Sequence, residues 1–136
     1  MTRRTNILVA VLMLAAVGVV GCESSTPSSP APDTAAPAAV TALQGSPAGG
    51  PSVSLSWTAG SELDLAGYKI SRRTVWSDKS MSEVQPIVSV TQPSFQDYSV
   101  QPGTSYLYGV TAYDASNNES PQAVIRVDVP PPDSAG

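Results

Sequence analysis

The sequence predicts an all-β sandwich of seven short strands, set behind a secretory leader and an extended linker. Apolar side chains recur at every second position in one short run after another from residue 40 onward, which is the period of a half-buried strand. Gly, Pro, Asn and Asp gather between those runs about every ten residues, as the turns of a sandwich require. Beyond the leader, no stretch has helical spacing.

The leader comes first. Met1-Thr2-Arg3-Arg4-Thr5-Asn6 precedes a run from Ile7 to Val20 that has no polar side chain. A basic start, a short apolar core and small residues before a cleavage point form the secretory pattern. The run rises only about 21 Å, short of the roughly 30 Å hydrocarbon core of a bilayer, so a membrane-spanning helix is the weaker reading. Arg-Arg directly before a uniformly apolar run also argues against a buried core helix. Residues 1–21 are therefore expected to be a removed signal peptide.

The run ends in Val19-Val20-Gly21-Cys22, which resembles a bacterial lipobox, and Cys22 is the single cysteine of the chain. The resemblance implies a diacylglyceryl thioether on Cys22, cleavage before it and acylation (a palmitate-type chain) of the new amino terminus. Several buried acyl chains, at about 0.8 kcal/mol per CH₂, make such an anchor effectively permanent. The expected location is extracytoplasmic, held to an outer membrane or cell surface by lipid. Residues 22–36, rich in Ser, Pro and Ala, contain no large apolar side chain to offset ordering entropy and read as a tether stiffened by Pro27, Pro30 and Pro32.

Residues 37–129 hold the strands. The runs are 40–43, 52–57, 67–72, 87–90, 94–97, 106–112 and 123–129. Alternation turns Val53, Leu55 and Trp57 to one face, Tyr68 and Ile70 inward, and Tyr106, Tyr108, Val110 and Ala112 to one side. In the last run Ile125, Val127 and Val129 oppose Arg126 and Asp128. Residues 130–136 open with three consecutive prolines, which cannot continue a hydrogen-bonded strand, and are expected to be a disordered tail.

Composition excludes several functions. The chain has no histidine, so the usual Ser-His and Cys-His nucleophile pairs lack their base, and a zinc site lacks its ligands. With one cysteine no internal disulfide forms, and packing alone must hold the fold. Seven basic residues stand against eleven acidic ones, scattered without a basic stripe, which argues against nucleic acid as a partner. No cofactor and no metal is expected, and the domain is expected to be monomeric.

Residues 37–129 resemble a fibronectin type III domain. The match rests on Val40-Thr41-Ala42-Leu43, Val53-Ser54-Leu55-Ser56-Trp57, Asp64-Leu65-Ala66-Gly67-Tyr68-Lys69-Ile70 and Phe95-Gln96-Asp97. It rests most of all on Val100-Gln101-Pro102-Gly103-Thr104-Ser105-Tyr106-Leu107-Tyr108-Gly109-Val110-Thr111-Ala112. The resemblance implies an immunoglobulin-like sandwich in which Trp57 anchors the core and Tyr106 is the tyrosine corner. In the turn 114–120, where the family commonly has Gly, Asn117 or Asn118 is available to take the left-handed conformation. Function on such a scaffold lives in loops and faces, so the fold alone names no activity. An Arg-Gly-Asp integrin motif is absent, and Asn118-Glu119-Ser120 reads as a turn rather than a glycosylated sequon.

Two acid pairs, Glu62 with Asp64 and Asp114 with Glu119, are of a kind that serves glycosidases or calcium. Both fall in turns, where such residues cap and solvate, and neither supplies a calcium-loop ligand series. No catalytic residue is assigned. The loop with binding character runs from Arg72 to Lys79, where Arg72, Arg73 and Trp76, with Tyr113 elsewhere, could stack on a sugar or grip a peptide. The alternative is that Trp76 folds back over the sandwich edge as peripheral core. Two functions follow. One is a non-enzymatic, lipid-anchored module that binds an envelope or extracellular protein or acts as a spacer. The other is a carbohydrate-binding accessory module using Trp76.

Because the flanks offer little to bury, a protein trimmed to residues 37–129 is expected to melt within a few degrees of the chain from Cys22 onward, in one cooperative step insensitive to chelators. Thermal melts with and without EDTA check this; a larger drop shows that the flanks belong to the fold.

Overall fold

A computed structural model describes residues 29–132. The leader 1–21, the lipidation candidate Cys22 and the last four residues lie outside the described residues. Among those described, no helix is long and apolar enough to cross a membrane.

The described residues form seven strands in two antiparallel sheets. One has three strands in the order β1 (Thr41–Pro47), β2 (Val53–Thr58) and β5 (Ser94–Asp97). The other has four, in the order β4 (Gln85–Val90), β3 (Leu65–Val75), β6 (Ser105–Asp114) and β7 (Ala123–Asp128). The expected alternation places the core. Val53, Leu55 and Trp57 on β2 are buried while Ser54, Ser56 and Thr58 are exposed. Facing them are Tyr68, Ile70, Tyr106, Tyr108, Val110, Ala112 and Val127, all buried in one cluster that also includes Val129. Each large side chain so buried contributes about 1.5–3 kcal/mol. Trp57 meets Tyr68 edge to face, with centroids 5.1 Å apart and rings at 71°, so a single aromatic contact ties the two sheets through their central strands.

Several strands exceed their sequence-predicted bounds, β1, β3 and β4 among them. β1 runs on to Pro47, through Gly45 and Ser46, past the predicted run 40–43. At Gly45 a Cβ would lie 2.7 Å from Val127 Cγ2 and 2.9 Å from Leu55 Cδ2, so glycine here lets the strand cross close over the core. Ahead of it a bulge between Thr41 and Gln44, with Ala42 at φ 51°, re-aims the strand. β3 continues to Val75 because β6 pairs with it along its full length, up to Thr74 opposite Tyr106 and Val75 opposite Ser105. Arg72 and Arg73 therefore stand on a strand rather than in the loop that the sequence suggested. β4 begins at Gln85 and carries Pro86 on the outer edge, beside a bulge in its pairing with β3.

The β6–β7 turn is built around Asp114, which is buried. Its Oδ1 accepts from the backbone N–H groups of Ser116 and Asn118, each at 2.8 Å, and its Oδ2 from Asn118 Nδ2 at 2.8 Å. Asn117 takes the left-handed conformation there at φ 65°. Burial raises the Asp114 carboxyl's affinity for a proton, but the bonds from Asn118 and Ser116 outweigh it and hold the group below the usual carboxylate range. Residues 31–36 are exposed and Pro37 is buried. Before Pro37, the Asp33 carbonyl accepts from Asn118 Nδ2 at 3.1 Å. At the other end Gly103 N donates to the carbonyls of both Val129 and Pro130.

Trp57→Ala is expected to cost about 3–5 kcal/mol, as the removal of a large core aromatic does. Trp76→Ala, at a position 51% exposed, should cost less than about 1.5 kcal/mol. Urea midpoints of the two variants check this, and equal losses would contradict the placement of the two indoles.

Candidate functional site

The inner face of the four-stranded sheet is longer than the three-stranded sheet that covers it. Along β3 the inward row reads Tyr68, Ile70, Arg72, Thr74, and it ends at Trp76 just past the strand. Tyr68 and Ile70 are buried in the core, Arg72 and Thr74 are half-buried, and Trp76 is exposed. The row thus passes from apolar core to an open end within nine residues.

Arg72 closes the core. Its Nη1 meets Asp97 Oδ2 at 2.5 Å and Ser99 Oγ at 3.0 Å, and its guanidinium lies 5.0 Å from the Tyr106 ring centroid. The Asp97 side chain is 2% exposed and that of Arg72 15%. Tyr108 OH donates to the same Oδ2 at 2.8 Å, while Ser99 N and Ser99 Oγ donate to Oδ1 at 2.9 and 2.7 Å. Burial alone would push the Asp97 carboxyl up, but the Ser99 and Tyr108 bonds and the Arg72 charge outweigh it and hold the group below its ordinary range. The same balance, burial against Asp97, raises Arg72, and burial together with Asp97 raises the Tyr108 phenol well above its usual value. Arg72 is thus committed to the fold, not to a ligand. Next to it Tyr106 OH accepts from Gln101 N at 2.9 Å, five residues upstream, which is the tyrosine-corner bond.

Beyond Arg72 lies a cleft of about 340 Å³ lined by Arg72, Thr74, Trp76, Ser99, Gln101, Thr104 and Tyr106. Trp76 stands at its edge and does not fold back as peripheral core. The turn after β3 fixes it: Trp76 N donates to Ser80 O, and Lys79 N donates to Trp76 O, both at 2.9 Å. Asp78 Oδ1 accepts from Ser80 N at 2.9 Å, and Val75 bridges to Met81.

The four sequence-predicted binding residues do not form one site. Arg72 and Trp76 share the cleft. Arg73 points to the opposite face, where with Ser71, Met81, Val84, Leu107 and Val124 it borders a depression of about 240 Å³. Tyr113 lies at the far end of β6, opposite Gly67, roughly 30 Å along the sheet from Trp76 at strand rise, with Lys69 Nζ 5.2 Å from its ring. Of the acid pairs considered in sequence, Asp64 approaches Asp114 together with Asp33, their carboxylate oxygens lying within 4.8 Å of one another. Both Asp114 oxygens are already taken by the turn. Glu119 instead pairs with Lys69, and Glu62 Oε1 accepts from Ala38 N at 2.9 Å. The residues that sequence reasoning missed are Asp97 and Tyr108. Asp97 closes a short alternating strand, but its partner Arg72 lies 25 residues earlier on the other sheet, and no local pattern links them.

Two sheets in this strand order, closed by a tyrosine corner, define a fibronectin type III fold. Solved structures agree. The fifth fibronectin domain of Drosophila Lar superposes with a TM-score of 0.55 at 22% identity, covering 69% of this chain and 97% of that one. An Fn3-like protein from Clostridium thermocellum gives 0.52 at 25%, covering 71% and 96%. The fibronectin type III domain of human fibronectin type III domain containing protein 3 gives 0.55 at 19%, covering 76% and 97%. Over 90 residues the chain is also 37% identical to part of an alpha-amylase from Niallia circulans, a match that covers 65% of this chain and 6% of that protein. No protein-family model matches the chain.

Because Asp97 titrates lower in the folded state than in the unfolded chain, the stability it lends is complete above about pH 4 and is lost as pH falls through the folded value. Asp97→Asn should cost about 3 kcal/mol at neutral pH, the low end for breaking a buried pair, because Arg72 keeps some contact with water. It should also flatten the stability profile below about pH 4. Urea titrations of both proteins across pH 2–7 check this, and parallel profiles would show that Asp97 is not the acid-sensitive group.

Proposed function

We propose that this chain is a non-enzymatic display module: a fibronectin type III domain carried outside the cytoplasm on a lipid attached at Cys22, acting as a contact or spacer element of the cell envelope. The single observation that carries the reading is the joining of a lipobox-like Val19-Val20-Gly21-Cys22 to a linker without large apolar residues and then to a sandwich whose buried carboxylates, Asp97 and Asp114, are spent on its own fold. The Arg72–Asp97–Tyr108 network illustrates the last point: its charged atoms bond one another and Ser99 and leave no free base or nucleophile. The domain's solved likenesses are themselves fibronectin type III domains, and the amylase likeness spans a small part of a much longer enzyme, as expected of a module that accompanies other chains. Residues 22–36 would lift the domain off the surface, with Pro27, Pro30 and Pro32 keeping the linker extended.

Cell fractionation tests the anchor. The protein should partition with membranes as a chain beginning at an acylated Cys22, by intact mass. Cys22→Ser should leave it uncut or soluble. A Cys22→Ser protein found in the membrane at the normal processed mass would overturn the reading.

A further inference from the structure

We propose that the cleft beside Trp76 is a binding site for one or two rings of a neutral polysaccharide. The indole is half exposed at 51%, yet its backbone is pinned on both sides by the 76–80 turn, so a flat apolar face is presented without loss of loop entropy on binding. The apolar C–H face of a sugar ring stacks on such a surface and keeps its hydroxyls free for hydrogen bonds. The cleft supplies partners for them: the hydroxyls of Thr74 and Thr104 and the side-chain amide of Gln101 line it, and none has a partner among the described residues.

Charge selects the kind of sugar. Among the described residues, Arg72 is the one charged residue lining the cleft, and Asp97 neutralises it. The chain as a whole carries a formal charge of −4. Among the residues that line the cleft an acidic polysaccharide would meet no unpaired cation, and the exposed Lys79 of the adjoining turn follows directly on Asp78, whereas a neutral one loses nothing. A protein partner would need roughly 800 Å² of contact surface on each side, for which a small hydroxyl-lined cleft is the wrong shape. One indole and three polar groups make a weak site, and a weak site becomes useful when many copies stand on one surface facing a repeating polymer. In that respect the inference deepens the display reading and rests on it, whereas the cleft chemistry itself does not depend on the anchor.

The test uses the full chain purified in detergent, alongside its Cys22→Ser form, on insoluble starch, cellulose and chitin. Retention on at least one matrix is expected for both proteins, with at least a tenfold loss in Trp76→Ala and an intermediate loss in Trp76→Phe. The variants' melting points, expected within a few degrees of the parent, show that the loss is local. A second readout separates binding from trapping. The chain has two tryptophans, and Trp57 is buried, so the matching oligosaccharide should shield the Trp76 emission from acrylamide and change nothing in Trp76→Ala. Failure of every matrix to retain either protein, or equal retention by Trp76→Ala, overturns the site. Retention by Cys22→Ser alongside a failed membrane fractionation would overturn the anchor and leave the site standing.

Discussion

The contact between Trp57 and Tyr68 joins the two sheets on which the rest of this structure is built. β2 is the central strand of its sheet, and β3 is an inner strand of the other. Their meeting sets the spacing at which Val53 and Leu55 reach Ile70, Tyr108 and Val110. With one cysteine and no histidine, the chain has neither an internal disulfide nor an imidazole–metal clamp to fall back on. Packing between the sheets must therefore supply the stabilisation that small secreted domains often take from cross-links. Gly45 shows how tight that packing is, since not even a methyl group fits between β1 and Val127.

From that contact outward, β3 turns from structure to surface. Its inner-facing row begins as core, becomes an ion pair at Arg72 and ends as an open cleft. The ion pair works as a seal: it lets a long strand leave the apolar interior without exposing the ends of Tyr106 and Tyr108 to water. Buried charges are weak contributors to stability when fully paired and costly when one partner is lost. Arg72 and Asp97 are therefore fixed to one geometry, and the side chains beyond them inherit a rigid base.

Much of the fold was legible because a period of two is a local property. Val53, Leu55 and Trp57, or Tyr106, Tyr108, Val110 and Ala112, declare their face without knowledge of any partner strand. Strand ends are not local. β3 reaches Val75 only because β6 is there to pair with it, and β1 reaches Pro47 only because Gly45 can pass over Leu55 and Val127. The candidate site was half legible for the same reason. Trp76 stands out as an aromatic among polar residues, but Thr104 and Gln101 join it from a loop about 25 residues away in sequence, and Arg72 reads as a loop binding residue in a sequence that does not show Asp97 beside it.

The bulges and prolines of the outer strands have a consequence for how such domains live beside one another. β4 carries Pro86 and a bulge, β1 has its own bulge and ends on Pro47, and β5 is four residues long. The remaining outer strand, β7, gives way to Pro130-Pro131-Pro132. Each exposed edge thus offers at most a short uninterrupted row of backbone donors and acceptors. Unprotected edges zip together when copies are concentrated, because each is a template for the next. A sandwich blunted in this way tolerates crowding: copies held at high density can collide repeatedly and separate again without growing into a fibre.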